Sequence, residues 1–250
     1  HIIRCVALAL AVFSLAACGD DLEPTQPQDP KSTPMTFVVD YPGQTRATAT
    51  DFERNDRIGL YVADAREPLE LAGNLVNNEA LTFDGSTWQA SRTLYWDDGS
   101  FNAYAYYPYM QDVTSVTDQP FSVSTDQSTS KTATALGGYE ASDLLFATTK
   151  DIKASDSPVR LTFRHIMSKL RIRLIKGEDF EGDMPTTAKV YIHNTVPTAT
   201  IDLQAGVATR YVKGTRQTII AHQDGDTSYS AIIVPQRIDN RQPLVEVEMM

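Results

Sequence analysis

The chain has 250 residues with 42% hydrophobic and 9% aromatic content, enough apolar material for one large or two modest globular domains. Its formal net charge of −10 argues against nucleic-acid binding and against docking to anionic lipid through a basic patch. Both cysteines, Cys5 and Cys18, lie near the start, so the body of the chain has no thiol for a disulfide, for thiol catalysis or for a thiolate metal site.

Residues 1–17 read as a leader. Arg4 supplies a positive n-region and residues 6–15 an apolar h-region, too short for the roughly 20 residues that cross a bilayer. Ala16 and Ala17 then lead to Cys18. The run L-A-A-C at 15–18 resembles the bacterial lipobox, which implies cleavage between Ala17 and Cys18 and a lipid on Cys18. The plain alternative is a secretory signal with a chance cysteine. Residues 18–34 follow, rich in Pro, Gln and Thr, and read as a flexible tether that cannot bury enough apolar surface to fold. Asp20 and Asp21, just behind the cysteine, resemble a surface-export signal; a solvated linker accounts for them equally well.

From residue 35 onward the pattern is β. Short β-rich runs recur at 35–39, 57–62, 81–83, 87–90, 101–107 and 121–124, then at 159–163, 170–175, 189–193, 200–203, 217–221, 228–234 and 244–249. In L-R-I-R-L, Leu170, Ile172 and Leu174 alternate with Arg171 and Arg173, and Val190 and Ile192 alternate with Tyr191 and His193. Such strands pack on one face and meet water on the other, as in antiparallel sandwiches. The run at 101–109 differs, with aromatics on both parities, which predicts a strand buried on both faces.

Asp84-Gly85-Ser86, Asp97-Asp98-Gly99 and Asp224-Gly225-Asp226 are each expected to turn a hairpin. Residues 72–80 and 165–169 hint at single helical turns. The polar stretch 151–158 marks a boundary between a domain over 35–155 and a second over 156–250. The chain opens on His1 rather than Met and ends in a strand pattern with no terminating turn, so further C-terminal strands are expected.

Several segments together resemble the fimbrillin-like family of Bacteroidota, the lipoprotein pilins and accessory pilins of surface fimbriae. They are T-R-A (45–47), F-E-R-N-D-R-I-G-L-Y-V (52–62), L-Y-W-D-D-G-S-F-N-A-Y-A-Y-Y-P-Y (94–109), S-D-L-L-F-A (142–147), V-R-L-T-F-R-H-I-M-S-K-L-R-I-R-L (159–174) and A-I-I-V-P-Q (231–236). The resemblance implies an all-β fold of two tandem transthyretin-like antiparallel β-sandwich domains, the second cut short. It implies a subunit at the outer membrane, anchored by lipid, with other fimbrial subunits as partners through strand exchange and a role in adhesion. In this family an Arg-specific protease removes the lipid and first strand, and Arg46-Ala47 matches the cleavage position, with Arg54 and Arg57 as other exposed candidates. The strand removed would be M-T-F-V-V at 35–39.

No catalytic motif is present: no G-x-S-x-G, no phosphate-cradling glycine loop, no H-E-x-x-H. His165 reads as a hydrogen-bonded structural residue beside a core strand, and His193 and His222 have no carboxylate at ligand spacing. Asp97-Asp98-Gly99 reads as a turn rather than a calcium loop, which needs more ligands. An enzyme is not expected, nor a cofactor or metal. The competing function is a stand-alone surface lipoprotein that binds a host protein or glycan, with Tyr41, Trp88, Tyr95 and Trp96 as the aromatic groups available to stack on a sugar.

Overall fold

The structure, a computed structural model, describes residues 29–42 and 52–249. It is all-β, as expected. In the first half the strands are β1 (Phe37–Asp40), β2 (Arg57–Asp64), β3 (Val76–Phe83), β4 (Trp88–Gln89), β5 (Ser100–Tyr107), β6 (Gln119–Ser122) and β7 (Leu145–Lys153). One short helix, α1 (Gly138–Ser142), precedes β7. The second half contributes β8 (Val159–Thr162), β9 (Arg164–His165), β10 (Ser168–Arg173), β11 (Ala188–Thr195), β12 (Thr198–Asp202) and β13 (Val207–Arg210). It ends with β14 (Gln217–Ile220), β15 (His222–Gly225), β16 (Ser228–Ile233) and β17 (Val245–Met249).

The organising element is a six-stranded sheet in the order β4-β3-β2-β5-β7-β9. Because side chains alternate across a strand, a strand that is apolar at every position must be covered on both faces. β2 and β5 approach this, buried on both faces at every position but their ends. Ile58, Leu60 and Val62, with Phe101, Ala103, Ala105 and Tyr107, face one hydrophobic core. Tyr61 and Ala63, with Tyr104 and Tyr106, face a second. The two-sided burial expected for residues 101–109 is therefore present within β5.

The first core is closed by β1 and β8, a parallel pair in the register Phe37↔Val159 and Val39↔Leu161. The second core is enclosed by the three-stranded sheets β10-β16-β15, β14-β11-β17 and β13-β12-β6. Here the simple alternation holds. Val190 and Ile192 are buried while Tyr191 and His193 lie on the opposite face, and Leu170 and Ile172 turn inward while Arg171 and Arg173 are exposed.

The two cores are tied together by more than the shared sheet. β6 crosses to pair with β12, Leu69 N donates to Gln204 Oε1 (3.0 Å), and Arg164 Nη2 donates to the Gly206 carbonyl (2.9 Å). Gly206 has φ +67° and lies so close to the Phe146 ring that a Cβ there would collide with it. Only glycine meets both the left-handed backbone and the close approach.

Several expectations are corrected. The Asp84 turn joins β3 to β4 and the Asp224 turn joins β15 to β16, both antiparallel pairs. Asp97–Gly99 does not turn a hairpin. Trp96 N, just before it, bonds to Thr33 O (3.0 Å), whereas β5, just after it, pairs with β2 and β7. The segment 72–80 is not helical; from Val76 onward it is β3, whose pairing with β2 and β4 outweighs the helix preference of Glu79 and Ala80. Residues 165–169 hold the end of β9, a two-residue link and the start of β10, and the helix lies instead at 138–142.

Residues 29–34, read as the end of the tether, are ordered here. Pro30–Ser32 form a 3-10 turn capped by Asp29, and Thr33 is buried. The stretch 151–158 holds the end of β7 and its link to β8. Val159, Leu161 and Phe163 pack in the first core and Ile166 in the second, so the chain passes between cores around β9.

Candidate functional site

The sequence singles out residues 35–39 as the strand that processing would remove, and the structure gives that strand an unusual seat. The segment Thr33–Asp40 lies between two stretches of backbone and uses both. Its first half runs antiparallel to residues 94–96, with Met35 N donating to Leu94 O (2.8 Å) and an isolated bridge at Pro34↔Tyr95. Its second half, β1, pairs in parallel with β8, where Val159 N donates to Thr36 O (2.8 Å) and Phe163 N to Asp40 O (3.0 Å).

The side chains follow the pleat. Met35 is buried, Phe37 and Val39 are half-buried against the first core, and Val38 points outward. Leu94 and Trp96 on one flank and Val159, Leu161 and Phe163 on the other belong to the same core, and all are buried. Covering Met35, Phe37 and Val39 contributes on the order of 5 kcal/mol, at about 1.5–3 kcal/mol per fully buried side chain. The one ion pair on the strand, Arg160 Nη1 to Asp40 Oδ2 (2.7 Å), joins a largely exposed arginine to a carboxylate and adds little. The seat therefore consists of main-chain hydrogen bonds and alternate apolar side chains, the two components of β-strand addition.

Neither the parallel pairing with β8 nor the wall formed by Leu94 and Trp96 is visible in the sequence. The alternation Met35, Phe37, Val39 marks the inward face of the strand, but periodicity does not name its neighbours. Ala17, Cys18, Arg46 and Ala47 all lie outside the described residues.

The aromatic residues considered for sugar stacking divide. Trp96 is buried in the first core, tilted against Phe101 at 5.7 Å. Tyr41 and Trp88 both pack edge-on against Phe52, at 5.1 and 5.0 Å, in a cluster that also holds Tyr107 and Phe163. Of the four, only Tyr95 is well exposed, at 48%. A core that must be filled by large rings explains the arrangement better than a binding platform does.

The histidines have partners. His165 Nδ1 lies 2.8 Å from Asp143 Oδ1, consistent with the structural role expected of it. His193 lies between Thr218 Oγ1 (2.9 Å) and Glu246 Oε2 (2.7 Å). It does have a carboxylate beside it, because β17 pairs with β11, a contact that sequence spacing does not reveal. His222 stacks on Tyr139 at 4.8 Å. Among the described residues no group of three or more His, Cys, Asp or Glu side chains is placed to hold a metal. The Asp97 carboxylate accepts from Asp98 N (2.8 Å) and faces Lys31, and the backbone bond to Asp98, ahead of the lysine, lowers its pKa.

A cleft of about 1210 Å³ opens where the two cores meet, lined in part by Asp56, Tyr107, Lys131, Tyr139 and His222. Its polar groups are largely engaged with one another. Asp56 accepts from Glu53 N (2.7 Å), Lys131 Nζ (3.0 Å) and the Tyr107 hydroxyl (3.3 Å). Burial, reinforced by the Asp56 charge, raises the pKa of the Tyr107 phenol and keeps it protonated.

The fold and these sequence features agree with known proteins. The fimbrillin-like family profile matches residues 45–249. A Bacteroides ovatus protein whose assigned name is fimbrium tip subunit Fim1C is 31% identical over 121 residues, which make up 44% of this chain and 22% of that relative. The chain thus corresponds to less than a quarter of the curated relative it matches. Two crystal structures of proteins assigned to cell adhesion share the fold. One, from Bacteroides ovatus, has a TM-score of 0.63 at 21% identity and covers 87% of this chain and 83% of its own. The other, from Bacteroides uniformis, has a TM-score of 0.60 at 21% identity, with coverage of 83% and 76%. No helix among the described residues is long and apolar enough to cross a membrane. By the match across residues 45–249, the chain belongs to the fimbrillin-like family.

Proposed function

We propose that this chain is a cell-surface fimbrial or accessory-pilin subunit that joins its neighbours through the groove left when the strand at residues 33–40 is removed. The family match and the adhesion names of its relatives support the broad role. The seat of β1 supports the mechanism. A strand held by two backbone edges and three inward apolar side chains can be withdrawn, leaving a groove that another strand, supplied by a neighbour, refills.

In this reading the lipid on Cys18, left after cleavage behind Ala17, carries the subunit to the outer membrane. Cutting between Arg46 and Ala47 then detaches the lipid together with β1. The vacated groove would expose Leu94, Trp96, Val159, Leu161 and Phe163 to water, so an empty groove is unfavourable and a donor strand is drawn in. Adhesion follows from presentation of the assembled subunits, and no catalytic role is proposed. A stand-alone glycan binder is less well supported, since three of its four candidate aromatics are packed in or against the first core.

The test is treatment of the purified chain with an Arg-specific protease, followed by sequencing of the new N-terminus and by electron microscopy. The expected result is a product starting at Ala47 that polymerises, or that takes up a synthetic peptide spanning residues 33–40. Arg46→Ala should block both. A chain that stays intact, or a cut chain that keeps its first strand bound and remains monomeric, would refute strand exchange.

A further inference from the structure

The seat of β1 carries a charge at each end. At its start, Lys31 Nζ lies 3.4 Å from Asp97 Oδ1, just beyond the stretch 94–96 that bonds to Thr33 and Met35. At its finish, Asp40 stands opposite Thr162 in the ladder, with Arg160 two residues back on the same outward face. Arg160 Nη1 donates to both Asp40 oxygens (2.8 and 2.7 Å), and the Thr162 hydroxyl donates to Oδ2 (3.3 Å). The Arg160 carbonyl accepts from the Thr149 hydroxyl (2.6 Å), which ties this residue to β7 as well. Asp97 and Arg160 each have one ion-pair partner among the described residues, and in both cases it belongs to the segment 29–40.

These pairs add little stability, because their four side chains are 34–65% exposed. Their effect is on the choice of strand. The inward row Met35, Phe37 and Val39 is apolar throughout, so a strand that slips by two residues keeps its apolar face inward. Backbone groups along an edge can pair with a strand of either direction. The charges tolerate neither change. A two-residue slip carries the carboxylate about 6–7 Å along the groove, away from Arg160. A strand laid in reverse brings its carboxylate towards Asp97 and its base towards Arg160, like charge against like at both ends.

We infer that Asp97 and Arg160 determine which strand the emptied groove accepts, in which direction and in which register. The fitting partner is a strand of a neighbouring subunit with a basic residue ahead of three alternate apolar residues and a carboxylate directly after the last of them. The inference rests on the proposed strand exchange and names the chemistry of the incoming strand. Asp97 and Arg160 both lie after residue 47, so they stay with the body of the subunit when β1 leaves. Complementary charge acts here on selection rather than on holding strength, which comes from the backbone bonds and the apolar row. A groove without these two charges still binds a strand but does not discriminate its direction.

The experiment has two arms. In the uncut chain, hydrogen exchange of the Phe163 amide, which donates to Asp40 O, reads opening at the β8 end of the seat. Arg160→Glu should speed that exchange about fivefold, the upper end for an exposed pair, and adding Asp40→Lys should restore it. Arg160 is largely exposed, so both variants should keep the wild-type circular dichroism spectrum. In the second arm, the protease-treated chain is offered a synthetic peptide spanning residues 29–40, or the same peptide with Lys31→Asp and Asp40→Lys. The unaltered peptide should bind about fivefold more tightly at low salt, and high salt should shrink that advantage. Asp97→Lys with Arg160→Glu in the chain should reverse the preference. Equal binding of the two peptides, or an exchange rate indifferent to Arg160→Glu, would overturn selection by charge and leave strand exchange standing. Uptake of neither peptide would refute strand exchange itself, and selection with it.

Discussion

Lys131 contacts two carboxylates at nearly equal range, Asp56 Oδ1 at 3.0 Å and Glu53 Oε2 at 2.8 Å, and the two pairs should differ strongly in energy. Distance alone would make the Glu53 pair slightly the better. Burial reverses the order. The Asp56 side chain is 6% exposed and the Glu53 side chain 69%, with Lys131 at 28% between them. Removing one partner of a buried pair costs about 3–5 kcal/mol because a charge is left behind without compensation. Exposed pairs measure about 0.2–1 kcal/mol. Lys131 is partly solvated, so the expected coupling for Asp56–Lys131 is discounted to about 2 kcal/mol, against about 0.5 kcal/mol for Glu53–Lys131.

Two double-mutant cycles measure this, built from Lys131→Met, Asp56→Ala and Glu53→Ala, with urea unfolding as the assay. The cycle is required because Asp56→Ala also removes bonds from Glu53 N and the Tyr107 hydroxyl, and these cancel within it. Both tryptophans, Trp88 and Trp96, pack in or against the first core, so their fluorescence reports the region where Asp56 sits. High salt should erase the Glu53 coupling and leave most of the Asp56 coupling. A Glu53 coupling equal to or larger than that of Asp56 would refute the argument from burial.

Gly59→Ala should destabilise the fold by about 2 kcal/mol, since a Cβ there would collide with the Tyr106 ring inside the packed sheet; thermal unfolding reads it. Tyr106→Phe should cost about 1–2 kcal/mol in urea unfolding, because the Tyr106 hydroxyl is bonded to Asn78 Oδ1 (2.5 Å) and lies within reach of Met110 N (3.3 Å). The Asp64 carboxyl should titrate at about 2 in an NMR pH series, held down chiefly by its hydrogen bonds from Arg66, and Arg66→Ala should return it to the ordinary range. Because its folded pKa is depressed, its contribution to stability is present above about pH 4 and lost as the pH falls towards 2.

Much of this protein can be read from its residues in order. Alternation in L-R-I-R-L and A-K-V-Y-I-H-N identifies the inward faces of β10 and β11, because a period of two is a local property of the strand. Aromatics on both parities of F-N-A-Y-A-Y-Y mark β5 as a strand covered on both sides, and the structure places it at the centre of the shared sheet. The motifs that resemble the fimbrillin-like family are likewise linear, and the family match covers them.

What the order of residues does not carry is which strand lies beside which. The Asp97 turn has the composition of a hairpin but separates Trp96, which bonds to Thr33, from β5, which pairs with β2 and β7. The carboxylate beside His193 arrives from β17, and the basic loop residue Lys131 reaches back to Asp56. Each is a long-range pairing whose partners share no local pattern. Composition and periodicity thus determined most of the strands and their buried faces, and the linear motifs pointed to the family. Only tertiary structure decided that β1 sits between two backbone edges, that one sheet serves both cores, and that β17 lies beside β11. Those outcomes depend on how separate strands meet, and the free energy of meeting belongs to pairs of segments rather than to either one alone.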